Sequence, residues 1–145
     1  FSIMNTRMKL NGVSIPLPTD QRYSVNLSFS DYFPNTDKWK MQLKLAFADG
    51  LPFNAPHRRI ESMNFRAPAY RRADIGMSYR LFDREKSDKK KSVFKNVWLG
   101  IDCLNLFGIN NVNSYYWITD VTNQQYAVPN YLTGRQINGR ILIEF

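Results

Sequence analysis

Apolar and polar residues take turns along most of this chain. In QRYSVNLSFS, Tyr23, Val25, Leu27 and Phe29 alternate with Arg22, Ser24, Asn26, Ser28 and Ser30. WKMQLKLAFA sets Trp39, Met41, Leu43, Leu45 and Phe47 against Lys40, Gln42, Lys44, Ala46 and Ala48. RRADIGMSYRL places Ala73, Ile75, Met77, Tyr79 and Leu81 opposite Arg72, Asp74, Gly76, Ser78 and Arg80, and VWLGIDCL opposes Val97, Leu99, Ile101 and Cys103 to Trp98, Gly100, Asp102 and Leu104. The closing stretch RQINGRILIEF puts Ile137, Gly139, Ile141, Ile143 and Phe145 on one side, with Gln136, Asn138, Arg140, Leu142 and Glu144 on the other. Side chains of a strand point alternately to opposite faces, so each segment reads as a strand with one apolar and one mostly polar face. FSIMNTRMKL is read as a sixth strand. No segment of comparable length has the i, i+3, i+4 spacing of an amphipathic helix. The expected fold is all-β and antiparallel, with consecutive strands running up and down.

Alternation does not say which face points inward. A lipocalin-like barrel in water has its apolar residues inside, whereas a barrel in lipid turns them outward. The polar face is rich in Arg, Lys, Asp, Ser, Asn and Gly, which suits a hydrated lumen and also a solvated exterior. Trp39 opens one apolar face and Tyr79 lies near the end of another, as in the aromatic girdles of a membrane barrel, though a soluble core also uses such residues. The connections are more telling. Working back from the C-terminus, a long connection (Gly108 to Gly134) is preceded by a shorter charged one (Asp83 to Lys95), then a long one (Asp49 to Ala69), a short one (Pro34 to Lys38) and an intermediate one (Asn11 to Asp20). Outer-membrane barrels have short periplasmic turns and long external loops, and with a periplasmic C-terminus the long connections here all fall outside.

Composition narrows the function classes. No run approaches the roughly 18 apolar residues of a transmembrane helix, but a barrel strand needs only about 9–11. The chain opens FSIMNTRMKL, without an apolar core followed by a cleavage site. We read it as the end of a longer polypeptide. One cysteine, Cys103, excludes an internal disulfide framework and a multi-Cys metal site, and one histidine, His57, has no acidic or Cys cluster around it. The expectation is a protein that is not an enzyme and holds no cofactor or metal. A net charge of +8 raises an anionic partner. The charge is dispersed, however, and its one dense run, Asp83 to Lys91, mixes signs between two strands. Basic residues and aromatics do not interleave on one strand face as in an RNA-recognition sheet.

Several blocks together resemble the C-terminal part of a TonB-dependent outer-membrane receptor of the Bacteroidota type: PLPTDQRYSVNLSFSDYFP, FADGLPFNAP, YRRADIGMSYRLF, DCLNLFGINN and AVPNYLTGRQINGRILIEF. They cover nearly the whole chain in the expected order, ending in the aromatic residue that such barrels carry. The resemblance implies a transmembrane β-barrel of about 22 strands, occluded by an N-terminal plug and importing a scarce ligand (iron chelate, vitamin, glycan or peptide) with energy transmitted by TonB. Residues 1–145 supply about six of its strands, and the plug and the TonB-contacting segment have no counterpart among them. Six strands leave two open edges, which are costly in lipid unless further strands pair with them.

On that resemblance the chain lies in the bacterial outer membrane. Its partners are outer-membrane lipid, the barrel assembly machinery, the TonB system through the missing N-terminal part, and a surface lipoprotein over the mouth; nucleic acid is not among them. Ile141, Ile143 and Phe145 form the assembly signal or, more plainly, face lipid. The loop aromatics Tyr115, Tyr116, Trp117, Tyr126 and Tyr131 are candidates for stacking on a ligand ring or closing over a lipoprotein, against the alternative that they pack the loop itself. His57, Arg58 and Arg59 put positive charge in another external loop, to attract an anionic ligand or lipopolysaccharide or simply to be solvated. Asn105 is assigned a structural hydrogen bond. Arg72, Arg80 and Arg140 are candidates for lumen ion pairs with Asp74, Asp102 and Glu144. Two further functions remain open at this point: a structural or adhesive barrel that imports nothing, and a soluble basic β-protein that binds nucleic acid.

Overall fold

The computed structural model describes residues 1–56, 65–83 and 93–145. Among them there is no helix. The strands are β1 (Ser2–Ile3), β2 (Arg7–Leu10), β3 (Val13–Pro16), β4 (Tyr23–Tyr32), β5 (Trp39–Ala48), β6 (Pro52–Phe53), β7 (Phe65–Arg66), β8 (Tyr70–Asp83), β9 (Asn96–Leu104), β10 (Val112–Thr119), β11 (Gln125–Tyr131) and β12 (Gln136–Glu144). A six-stranded antiparallel sheet has the order β1-β4-β5-β8-β9-β12, and β2-β3, β6-β7 and β10-β11 are separate two-stranded ribbons.

The five segments with the clearest alternation are the five long strands of the sheet. FSIMNTRMKL is not a sixth strand of comparable length. Only Ser2 and Ile3 pair with β4, and Arg7–Leu10 folds back on Val13–Pro16 instead. The cause is Asn11-Gly12, whose φ values of +50° and +82° give the two-residue turn that matches strand twist. Each of the three longer connections thus carries a ribbon of its own. In the short turn after β4, Thr36 N–H donates to the Phe33 carbonyl across Pro34 and Asn35, and Asn35 has φ +62°. Proline at the first central position and a positive φ at the second define a type II turn.

Contacts divide the chain into two units. The first comprises Phe1–Asn26, Ala46–Arg71 and Ile109–Gly134, and the second Leu27–Leu45, Arg72–Gly108 and Arg135–Phe145.

In the second unit the register is explicit. Ile75, Cys103 and Ile137 share one row, Met77, Ile101 and Gly139 the next, and Tyr79, Leu99 and Ile141 the one after. These rows belong to the apolar face, and it is exposed: Ile101 is 57% accessible, Ile137 and Ile141 each 68%. The interleaved rows are Gly76-Asp102-Asn138, Ser78-Gly100-Arg140 and Arg80-Trp98-Leu142. Here glycine stands beside the larger groups. A Cβ on Gly76 would lie 2.4 Å from Asp102 Oδ1, and one on Gly100 would lie 3.2 Å from both Arg140 Nε and Ser78 Oγ. A bulge between Arg80 and Phe82 lets Leu81 drop out of the pairing, so Phe82 meets Val97 and Asp83 meets Asn96. The alternation therefore changes phase, which carries Asp83 onto the polar face with Arg80.

Across the described residues the buried apolar side chains are Ile15, Ala48 and Ala73, all small or medium in size. A domain of this length in water ordinarily buries a sizeable core of large apolar side chains. Leu27, Phe29, Leu45 and Phe47 are instead all at least 39% accessible.

Candidate functional site

In the first unit the ribbons are tied together by a few side chains. Arg66, on β7, donates through Nη1 to the carbonyls of Asp20 (2.8 Å) and Gly50 (2.7 Å) and to Asp49 Oδ2 (3.0 Å), and through Nη2 to Asp20 Oδ2 (2.8 Å). Asp20 is 2% accessible, and its other oxygen accepts the Thr6 amide at 2.8 Å. That amide, and then the Arg66 guanidinium, hold its carboxyl below the ordinary aspartate value of 3.8. Arg22 approaches Asp49 at 3.5 Å from a largely solvated position. One guanidinium therefore clamps the connection before β4 to both arms of the connection after β5.

Asn111 plays the same part for β10-β11. Buried at 5% accessibility, it accepts the Arg71 amide at 2.9 Å and returns a bond to the Arg71 carbonyl at 2.8 Å, as a neighbouring strand would. Strand parity separates Tyr115 and Trp117 from Tyr116 and Tyr126. Tyr115 stacks on Phe53 of β6 with centroids 4.4 Å apart and planes 14° apart, and Trp117 is 6.5 Å from the same ring. Phe53 also contacts Phe65, 5.7 Å away, so these rings form a small core under the loops. Tyr116 and Tyr126 belong to the other face of the ribbon, where Tyr116 pairs with Val128 and Ile118 with Tyr126. Their accessibilities are 61% and 50%, and that of Tyr131 is 52%. Tyr115 and Trp117 thus pack on Phe53, whereas Tyr116, Tyr126 and Tyr131 are exposed, with the Tyr126 hydroxyl donating toward Asp120 Oδ2 at 3.4 Å and Gln124 Oε1 at 3.3 Å. At the ribbon's tip Asp120 accepts from the Thr122 hydroxyl (2.7 Å) and the Thr122 and Gln124 amides, and these bonds, the hydroxyl first, lower its carboxyl pKa. His57, Arg58 and Arg59 lie outside the described residues.

The second unit holds the polar face. Arg72 pairs with Asp74 at 2.7 Å, and Arg140 reaches Asp102 at 3.7 Å and Ser78 Oγ at 3.2 Å. Arg80 does not pair with the carboxylates expected for it. Its partners are Asp83, brought round by the bulge, and Asp37 at 3.4 Å. Glu144 instead accepts from Asn96 at 2.7 Å. Asn105 is 3% accessible with φ +51°, and its amide donates to Asp74 at 2.8 Å. Its structural role is thus to turn the chain as β9 ends, with the Asp74 carboxylate receiving its N–H. Between Tyr32, Lys40, Trp98 and Arg140 the same face opens into a groove of about 440 Å³.

At the C-terminus Ile141, Ile143 and Phe145 are 68%, 44% and 79% accessible, and the Phe145 ring lies 5.6 Å from Phe94. No group of three or more potential metal ligands occurs among the described residues. Arg66, Asp20, Phe53 and Asn111 escaped the sequence reading, because ordering a loop by a single guanidinium or amide leaves no periodic trace.

No protein-family model, curated protein or solved structure matches the chain.

Proposed function

We propose that this chain forms the C-terminal strands of a larger β-barrel in the bacterial outer membrane, of the TonB-dependent receptor type, and that the whole barrel imports a scarce ligand. The observation that carries the reading is the orientation of the sheet's faces. Leu27, Ile101, Ile137 and Ile141 are exposed, whereas Gly76, Ser78 and Gly100 make room for charged side chains on the other face. In water such a surface is an association hazard, and in lipid it is the face a barrel needs.

Two further observations support it. The long strands have 10, 10, 14, 9 and 9 residues, and about 9–11 residues of tilted strand cross a bilayer core. In an antiparallel sheet alternate connections share an end, and the three that carry ribbons are alternate ones. On this reading that end is extracellular, and Tyr116, Tyr126 and Tyr131 face the medium on the loop after β9. The opposite end bears Phe145, the proposed contact of the assembly machinery.

The test has two arms. Membranes from the source cell are separated on a density gradient and probed for this sequence. Ligand uptake is then compared between wild-type and deleted cells, with and without an energised inner membrane. Recovery in the outer membrane with loss of energy-dependent uptake is the expected result. Recovery there with no uptake defect for any iron chelate, vitamin, glycan or peptide supplied would leave a structural or adhesive barrel. Recovery in a soluble fraction would overturn the membrane assignment.

A further inference from the structure

The chain has two Asn-Gly steps, Asn11-Gly12 and Asn138-Gly139, and one Asp-Gly step, Asp49-Gly50. At such a step the backbone nitrogen can attack the preceding side-chain carbonyl carbon, because glycine has no Cβ to shield its amide. The structure gives the three steps different surroundings. Asn11-Gly12 is the whole of the turn between β2 and β3, and both residues are exposed with a positive φ. The ribbon it closes has four residues in each strand and is a separate two-stranded sheet, and such a ribbon opens at little cost. Asn138-Gly139 instead lies inside β12, with Asn138 paired to Asp102 and Gly139 to Ile101 in a run of nine consecutive pairs. At Asp49-Gly50 the Arg66 guanidinium holds both the carboxylate and the Gly50 carbonyl, and the Ala67 backbone closes on Gly50. Among the described residues Asn35, Asn105 and Asn123 share the left-handed backbone of Asn11, but Thr36, Leu106 and Gln124 follow them.

From this contrast we infer that Asn11 is a site of spontaneous deamidation, and that its isoaspartate product unlocks the β2-β3 ribbon. The Gly12 nitrogen gives up its proton to water and forms a bond to Asn11 Cγ. The Cγ–Nδ2 bond breaks, and ammonia leaves with a proton returned through water. Water then opens the resulting five-membered succinimide. Attack at Cγ leaves aspartate in the normal main chain. Attack at the Asn11 main-chain carbonyl carbon breaks its bond to the Gly12 nitrogen, and the chain then runs through Cγ as isoaspartate. Isoaspartate adds a methylene to the main chain within a two-residue turn, whose match to strand twist depends on its length and on the positive φ of both residues. The base of the ribbon stays tied, because the Leu17 amide donates to the Thr6 carbonyl and the Thr6 amide to Asp20. The conversion therefore loosens residues 7–16 and leaves the Arg66 clamp in place. It is independent of the membrane assignment, since it needs only water at an exposed turn.

The test holds the full protein in detergent at neutral and at mildly alkaline pH, with samples taken over days and digested with trypsin. Asn11 is read in the peptide of residues 10–22 and Asn138 in that of residues 136–140, by the mass change from amide to acid. Chromatography separates isoaspartate from aspartate. In the folded protein Asn11 should convert about tenfold faster than Asn138 or more, because a short ribbon opens more readily than the middle of a long strand. The rate should rise with pH, as the nucleophile is the deprotonated nitrogen. In denaturant, where both are plain Asn-Gly steps, the two rates should converge. Amide exchange at Leu10 and Val13 should be faster in converted molecules, with protection of the Thr6 amide retained. Asn11→Asp, which carries the charge without the extra methylene, should keep the ribbon's protection. Conversion of Asn11 no faster than that of Asn138 in the folded protein, or a difference equally large in denaturant, overturns the site. Unchanged exchange at Leu10 and Val13 after conversion, or an equal loss in Asn11→Asp, overturns the effect on the ribbon.

Discussion

Replacing Ile101 with arginine distinguishes lipid from water on the apolar face. Ile101 is the sixth of the nine residues of β9, near the strand's midpoint. Its row holds Met77 on one side and Gly139 on the other, and a Cβ on Gly139 would meet nothing within 4 Å, so an arginine at 101 has room in the sheet. If water covers this face, the substitution at a 57% accessible site should change stability by no more than about 0.5 kcal/mol. If lipid covers it, arginine near the bilayer midplane costs about 2–4 kcal/mol. Ile143 supplies the internal control. It pairs with Val97, four residues from Ile101 along β9, or about 13 Å of strand. With a tilt near 40° that is about 10 Å along the membrane normal, close to the edge of an apolar band about 25 Å tall, where arginine costs about 0–1 kcal/mol. Urea titration of folding into lipid vesicles, followed by heat-modifiable gel migration, reads both variants. The account predicts a large loss for Ile101→Arg and a small one for Ile143→Arg. Equal effects at the two depths, or a loss below about 0.5 kcal/mol at Ile101, would refute the reasoning.

The loops of the first unit yield three more expectations. A Cβ on Gly50 would lie 1.6 Å from the Ala67 carbonyl oxygen, so Gly50→Ala must part the backbone there; we expect a loss of about 1–3 kcal/mol, seen as a lower urea midpoint. Phe53→Leu removes the stack on Tyr115 and should cost about 0.5–1.5 kcal/mol, detected as faster amide exchange at Tyr115 and Trp117. Asp20 titrates below 3.8 in the folded protein, so its clamp contributes above that pH and is lost as pH falls through the lowered value. Amide exchange at Thr6 and Ala67, normalised to the intrinsic rate at each pH, should therefore speed up only below pH 3.8, and Asp20→Asn should remove that acid step; protection lost already between pH 7 and 5 would contradict the assignment.

Much of the sheet was legible because half-burial writes itself as period two. Trp39–Ala48 matches the WKMQLKLAFA alternation residue for residue. The faces were legible for the same reason, but which arginine meets which carboxylate was not, because that depends on register, which alone brings Arg140 near Asp102. What period two cannot encode is a change of phase. Leu81 looked like one more apolar-face residue, yet the bulge sets it aside and hands the Arg80 ion pair to Asp83. The ribbons were hidden for another reason. Each is only two to eight residues per strand, too short for alternation to stand out from loop composition. The Asn11-Gly12 signal was nevertheless present between two short runs, and it marks the turn that breaks the N-terminal segment. In the loop after β9, composition revealed the aromatics but not their sides. Only the pairing of Tyr116 with Val128 shows that Tyr116 and Tyr115 face opposite ways.

The central claim is that residues 97, 99, 101 and 103 of β9 face lipid while 98, 100 and 102 face a hydrated lumen. It is tested most directly by spin labels placed one at a time along β9 in a Cys103→Ser background, with the protein in lipid vesicles. Collision rates with oxygen, which concentrates in hydrocarbon, and with a water-soluble nickel complex are then compared position by position. The account predicts opposite period-two patterns, with oxygen highest at 97, 99, 101 and 103 and nickel highest at 98, 100 and 102. Nickel access equal on both faces, or highest at 99 and 101, would contradict it.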